Sequence, residues 1–169
     1  MNQLLVATRV FLGLVFVLSL GAKLRAPGGF AEFVGSVRGL VPRLPARTTA
    51  VVVVAGEATV VVLLAWTRTV SLGLGVALLL SVAFTVALWS AIRRGRRVSC
   101  GCFGASTTPV GPAHVVRNVV LTACAAVGLA AGPAGADTWG PGTATSIAAG
   151  AVAAGLVALT DDVVDLFRA

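Results

Sequence analysis

The most informative absence in this sequence is that of charged side chains. Only 11% of the 169 residues are Asp, Glu, Lys or Arg, whereas soluble domains contain about 25%. Hydrophobic residues make up 57% of the chain, and the mean hydropathy is +0.99. These values exclude an ordinary soluble domain. They predict an integral membrane protein, built as one all-α helical bundle.

Tyrosine is absent, and lysine occurs once, at Lys23, against twelve arginines. This bias, with the many Ala, Val and Gly residues, is typical of a high-GC bacterial genome. Six acidic residues against thirteen basic ones leave a net charge of +7. The basic residues stand at the ends of apolar segments, where they set topology and meet anionic headgroups. We therefore expect the lipid bilayer as a partner, and no nucleic acid.

Residues that carry chemistry are also scarce. Three cysteines are too few for a disulfide framework, and the single histidine, His114, excludes a histidine-based metal cluster. The sequence has no phosphate-binding glycine loop and no Ser-His-Asp set. We expect no bound cofactor and no resident metal, so the cysteines remain the main candidates for chemistry.

Five apolar segments are long enough to cross the hydrocarbon core, which needs roughly 20 residues. They are 4–22, 48–66, 70–92, 115–131 and 143–160. We interpret the first as a retained helix, because no basic region precedes it and its end is a poor signal-cleavage site. The expected organisation is a four-helix membrane domain at 1–132, followed at 143–169 by an additional transmembrane helix and a short acidic tail.

The fifth segment is the weakest, being mostly Ala and Gly. Small residues recur in it at every fourth position, a spacing that suits close packing of helices in a bundle. They are Ser146, Gly150, Ala154 and Ala158.

A further short helix is predicted near 30–41. Apolar residues recur there at a helical spacing, at Phe30, Phe33, Val34, Val37, Leu40 and Val41. The pattern is typical of an amphipathic helix in the membrane interface. Pro and Gly residues precede it and Pro residues end it. Its expected role is to tie the first two spans together, with partner docking as the alternative.

The distribution of basic residues predicts the orientation. The loops after the first and third spans carry nine: Lys23, Arg25, Arg38, Arg43, Arg47, Arg93, Arg94, Arg96 and Arg97. The loops after the second and fourth spans offer only Arg68. Because cytoplasmic loops carry the excess of Lys and Arg, we expect the N-terminus outside and the loop after the third span in the cytoplasm.

That cytoplasmic loop contains Cys100-Gly101-Cys102 directly after an arginine run. A disulfide usually needs Cα atoms about 4.4–6.8 Å apart, so residues i and i+2 can pair only in a turned, strained backbone, which Gly101 favours. A strained disulfide is easily reduced, and nearby arginines favour the attacking thiolate. The pattern indicates thiol–disulfide exchange. Binding of a soft metal such as Cu or Zn and simple burial of small residues are the alternatives.

Cys124, in the fourth span, is a possible third thiol that resolves a mixed disulfide. Its depth of about 13–15 Å along the helix favours instead a small packing residue.

Several polar residues lie where lipid is expected. Glu57 stands in the middle of the second span, where a carboxylate should face the bundle interior and be paired or protonated. Arg9 in the first span is the expected partner. The pair has two interpretations, an ion pair that fixes helix register and a carboxylate that handles protons. Arg117, followed by Asn118, and His114 are expected at the membrane interface, with thiolate or phosphate binding as the alternative for Arg117.

Taken together, these residues resemble the MauE (methylamine-utilisation) family, within the wider DoxX-like group. The resemblance covers about the first 130 residues. It rests on Arg9, on Gly21-Ala22-Lys23-Leu24, on Glu57, on the motif CGCFG at 100–104 and on Arg117-Asn118. The motif after the third span is its most specific part.

The resemblance implies a small multi-span bacterial membrane protein that acts with a thioredoxin-like partner in forming or transferring disulfides during protein maturation. It implies that Cys100 and Cys102 are the redox pair, and that Gly101, Phe103 and Gly104 shape their loop. The implied supporting polar positions are Arg9, Lys23, Glu57, Arg117 and Asn118. The alternative is a non-catalytic membrane subunit that binds or assembles partners.

Overall fold

The computed structural model describes residues 2–25, 27–95, 112–131 and 142–166, and of residues 2, 112 and 160–166 it describes the backbone alone. These parts of the chain are helical and contain no strand, which confirms the all-α prediction. The helices are α1 (Asn2–Arg25), α2 (Gly29–Leu40), α3 (Ala46–Ala65), α4 (Val70–Arg93), α5 (Pro112–Ala130) and α6 (Thr143–Leu166). A short 3-10 turn, Thr67–Thr69, joins α3 to α4.

Four of the described helices, α1, α3, α4 and α5, are long and apolar enough to cross a membrane. They correspond to the first four predicted spans. In α6, Thr143–Leu159 forms a shorter apolar helix. The protein is therefore a multi-pass membrane protein of four long apolar helices, with a fifth near the C-terminus.

The helix α1 lies at the centre of the packing and has neighbours on several sides. It contacts α3 in antiparallel fashion, because Arg9 reaches Leu64 and Lys23 reaches Glu57. The main core forms where α1, α3, α4, α5 and α6 meet, around buried residues such as Leu12. In the described part of the chain, α1 contacts each of the other five α-helices, α6 most extensively.

The small-residue stripe of α6 packs directly on α1, as its spacing predicts. Ser146 donates a hydrogen bond to Gln3 Oε1 at 2.6 Å. A Cβ atom added at Gly150 would lie only 2.6 Å from the carbonyl oxygen of Ala7, so the two backbones approach more closely than another residue would permit. Each contact joins a residue four positions further along both helices, Gln3 with Ser146 and then Ala7 with Gly150. The helix α6 therefore runs parallel to α1.

The predicted short helix is confirmed as α2. Gly28, which precedes it, has a φ of 81°, in the left-handed region that glycine adopts without strain. Phe33, Val37 and Leu40 are buried, and Phe33 and Val37 form a small core with Ala50 at the start of α3. The apolar side of α2 therefore fastens the α1–α3 connection onto the bundle.

Candidate functional site

A buried ion pair joins α1 to α3. Lys23 Nζ lies 2.6 Å from Glu57 Oε1 and 2.8 Å from Glu57 Oε2, and each residue is only 2% exposed. Charged residues are almost never buried to this degree unless they are paired. This pair is the only salt bridge found among the described residues.

Two further residues complete the surroundings of the lysine. Lys23 also donates to Ser19 Oγ at 2.8 Å, and Ser19 in turn donates to Glu57 Oε1 at 3.1 Å. The ammonium has three N–H donors, and these contacts give it three oxygen acceptors. The ring of Phe33 from α2 covers it, with 4.5 Å between Nζ and the ring centroid. The charge is thus satisfied by hydrogen bonds and by a cation–π contact.

The expected pairing of Glu57 with Arg9 is wrong. Arg9 instead donates from Nε to the carbonyl oxygen of Leu64 at 2.6 Å and from Nη2 to that of Ala65 at 2.7 Å. These carbonyls belong to the last turn of α3, where carbonyl oxygens have no N–H donor within the helix. Leu64 lies seven residues beyond Glu57, about 10 Å along the helix axis, so the register of the two helices separates Arg9 from the carboxylate.

Lys23 was expected in a loop, but α1 continues to Arg25 and places Lys23 inside the bundle. This correction also removes Lys23 from the basic residues that set orientation. Eight remain on one side against Arg68 on the other, so the bias keeps its direction.

Next to the ion pair lies a small internal space, here called the polar cavity. Five polar residues from four helices line it: Ser19 of α1, Glu57 of α3, Ser81 of α4, and Arg117 and Asn118 of α5. Its volume is about 30 Å³, which is large enough for a single water molecule and too small for an organic ligand. The cavity can therefore hold a water molecule but not an organic substrate.

The cavity gathers residues that lie far apart in the sequence. Glu57, Arg117 and Asn118 line it directly, and Lys23 reaches it through Glu57. Four of the five supporting positions implied by the resemblance therefore meet in one place, whereas Arg9 lies elsewhere. Ser81 adds a buried hydroxyl with no hydrogen-bond partner among the residues described.

Arg117 and His114, which were expected at the membrane interface, are both buried within the bundle, with 6% and 5% exposed. Asn118 is buried as well and donates from Nδ2 to the carbonyl oxygen of His114 at 3.0 Å. The first two turns of α5 thus present polar groups to the interior. The helix with which α5 makes its most extensive contact is α4.

Of the three cysteines, Cys124 alone lies among the described residues. Cys124 is a free thiol, partly buried, and packs against the main core. Cys100, Gly101, Cys102, Phe103 and Gly104 lie outside the described residues. The segment that contains them connects the end of α4 to the start of α5.

Ser19, Ser81 and Phe33 are site residues that the sequence analysis did not identify. A signal existed for Ser19, which precedes Lys23 by four residues and so shares its helix face. Nothing comparable marks Ser81 or Phe33, because small polar and aromatic residues are common in transmembrane helices and amphipathic helices alike.

Comparison with known proteins shows the family of this chain. The family model described as methylamine utilisation protein MauE matches residues 1–131. The chain is 39% identical over 154 residues to methylamine utilization protein MauE of Paracoccus denitrificans, an alignment that covers 87% of this chain and 80% of the relative. No solved structure matches the chain. The match spans the helices that build the ion pair and the polar cavity, and the chain belongs to the MauE family.

Proposed function

We propose that this protein serves in methylamine utilisation, the process named in its relative's description, as a membrane component of thiol–disulfide exchange. The observation that carries the proposal is the Cys100-Gly101-Cys102 pair in a member of this family. In the sequence, the pair lies between α4 and α5, and both of these helices contribute residues to the polar cavity. A thioredoxin-like protein is the proposed partner, in the maturation of other proteins.

The exchange follows ordinary thiol chemistry. A thiolate of the pair attacks one sulfur of a partner disulfide, and the other partner sulfur leaves as a thiolate. The second cysteine then attacks the mixed disulfide, which yields a Cys100–Cys102 disulfide and a partner dithiol. Two electrons pass to the partner, and the two protons released by the pair balance the two taken up by the partner thiolates. The reverse sequence oxidises the partner.

The basic residues at the end of α4 support thiolate formation, because positive charge stabilises the thiolate over the thiol. Arg93 and Arg94 belong to the described part of this run. Arg93 stacks on Trp89, with 5.0 Å between its guanidinium carbon and the ring centroid, and Arg94 donates to the Leu40 carbonyl oxygen at 2.7 Å. These contacts fix two positive charges at the start of the segment that carries the cysteines.

Two roles are open to the Lys23–Glu57 pair in this scheme. A register role makes it a buried ion pair that fixes α1 against α3. A proton role makes Glu57 a group that exchanges protons with the polar cavity during thiol exchange. Glu57→Gln separates them: retained helix packing with impaired thiol exchange supports the proton role, and loss of packing supports the register role.

The proposed orientation follows the charge bias, with the N-terminus outside and the cysteine pair on the cytoplasmic side of the plasma membrane. Residues 143–169 are proposed to form an additional transmembrane helix and a short acidic tail that follow the four-helix domain. A membrane-impermeant maleimide should label Cys100 and Cys102 in inverted vesicles and not in intact spheroplasts. Labelling only in spheroplasts would reverse the orientation.

The decisive test is a set of three serine variants in cells that depend on this protein. Cys100→Ser and Cys102→Ser should each abolish activity, while Cys124→Ser, the matched control, should retain it. In the single variants the remaining cysteine of the pair should form a mixed disulfide with a thioredoxin-like protein, visible on non-reducing gels. Full activity of both single variants would reject the redox proposal in favour of a non-catalytic assembly subunit.

A further inference from the structure

A second and larger space opens on the side of the bundle, away from the polar cavity. This lateral groove lies between α2, α3 and α4 and has a volume of about 730 Å³, within the range of ligand pockets. Its walls are apolar and include Val37 and Leu40 of α2, Val53 of α3, and Leu80 and Phe84 of α4. Such walls suit a hydrocarbon chain.

One end of the lateral groove is basic. Arg43, from the turn after α2, and Arg94, at the end of α4, both line it, and both are exposed. Arg94 is anchored by its hydrogen bond to the Leu40 carbonyl oxygen at 2.7 Å, which leaves its other guanidinium N–H groups available. The described lining contains no acidic residue, so neither arginine is neutralised from within the groove.

We propose that the lateral groove binds one anionic phospholipid, with an acyl chain against the apolar walls and the phosphate on Arg43 and Arg94. The division of the groove into a hydrocarbon-lined part and a cationic end matches the division of such a lipid into acyl chain and headgroup. Basic pockets between transmembrane helices are suited to anionic headgroups, and arginine binds phosphate with two N–H groups at once. A bound lipid would fill the space between α2 and the two helices it packs on.

Native mass spectrometry of the full-length protein in detergent tests the charge requirement. Phosphatidylglycerol and phosphatidylcholine with identical acyl chains are titrated separately. The wild type should bind one phosphatidylglycerol at least tenfold more tightly than phosphatidylcholine. Removal of each arginine should weaken phosphatidylglycerol binding about fivefold, and the double variant Arg43→Gln/Arg94→Gln should lose most of the preference.

The matched control for charge is Arg68→Gln, because Arg68 lies in the 3-10 turn at the other end of α3 and α4. It should change binding less than twofold. Equal losses in Arg68→Gln and the double variant would show a general effect of net charge and overturn the proposal. If inorganic phosphate competed for the site as strongly as phosphatidylglycerol, the groove would be a phosphate site and the lipid proposal would be overturned.

Filling the lateral groove tests the acyl-chain requirement. Ala87 lines the groove, so Ala87→Trp should abolish the tightly bound lipid. Ala123→Trp, at an exposed alanine of α5 outside the groove, should leave it bound. Both variants are checked for an unchanged helical spectrum and a monodisperse elution profile. Unaltered lipid binding in Ala87→Trp would mean that the lipid does not occupy the groove and would refute the inference.

Discussion

Replacing Lys23 by Met should destabilise the bundle strongly, because it leaves the Glu57 carboxylate buried without its counter-charge. Lys23 supplies two of the contacts to this carboxylate, at 2.6 and 2.8 Å, and only the Ser19 hydroxyl, at 3.1 Å, remains. Removing one partner of a buried ion pair costs about 3–5 kcal/mol. Both residues are only 2% exposed, so solvent screens the unpaired charge very little, and we expect a loss of unfolding free energy within this range.

The assay is the free energy of unfolding in mixed detergent micelles, followed by the helical signal. Arg25→Met is the matched control, because Arg25 lies in the same last turn of α1 but is exposed. It should change stability by less than about 0.5 kcal/mol. The double variant Lys23→Met/Glu57→Met should recover most of the loss, since apolar replacement of a whole buried pair is often neutral. If Lys23→Met and Arg25→Met have equal effects, the ion pair contributes nothing to stability.

Two further variants test the helix contacts in the same unfolding assay. Gly150→Ala should cost about 1–3 kcal/mol by overpacking, because its Cβ would lie 2.6 Å from the backbone of α1. Gly155→Ala, the control, has no atom within 4 Å of its added Cβ and should be tolerated. Equal stability of the two variants would contradict the close contact. Arg9→Lys should lose about 1.5–3 kcal/mol of unfolding free energy, because an ammonium cannot reproduce the forked contact with two carbonyls at the end of α3. A fully stable Arg9→Lys would show that positive charge alone is required.

The sequence predicts the helices well because hydropathy and helical spacing are local properties. A long apolar run must be shielded from water wherever it lies, and its length matches the membrane. The stripe containing Gly150 and the apolar spacing of α2 are equally local, and both predict the faces that pack. The end of α1 is the exception: Lys23 looks like the start of a basic loop, yet its contacts with Ser19 and Glu57 hold it inside.

The candidate site depended on information that no single segment contains. That Glu57 needs a partner follows from its chemistry, since a carboxylate in hydrocarbon must be neutralised. The choice between Arg9 and Lys23 depends on the register of α1 against α3, which is set by packing along the whole contact. The residues of α5 gave a similar ambiguity, because Arg117 at a helix end is compatible with both the membrane surface and the interior.

By itself, the sequence determined that this chain is a helical membrane bundle, which faces pack and that its cysteine pair stands out. Only the tertiary structure decided that Lys23 neutralises Glu57, that Arg9 caps α3, and that Glu57 shares a cavity with Arg117 and Asn118. The physical reason is that burial is required residue by residue, whereas the identity of a buried partner depends on distances of a few ångströms between helices, and these arise only when the whole bundle has packed.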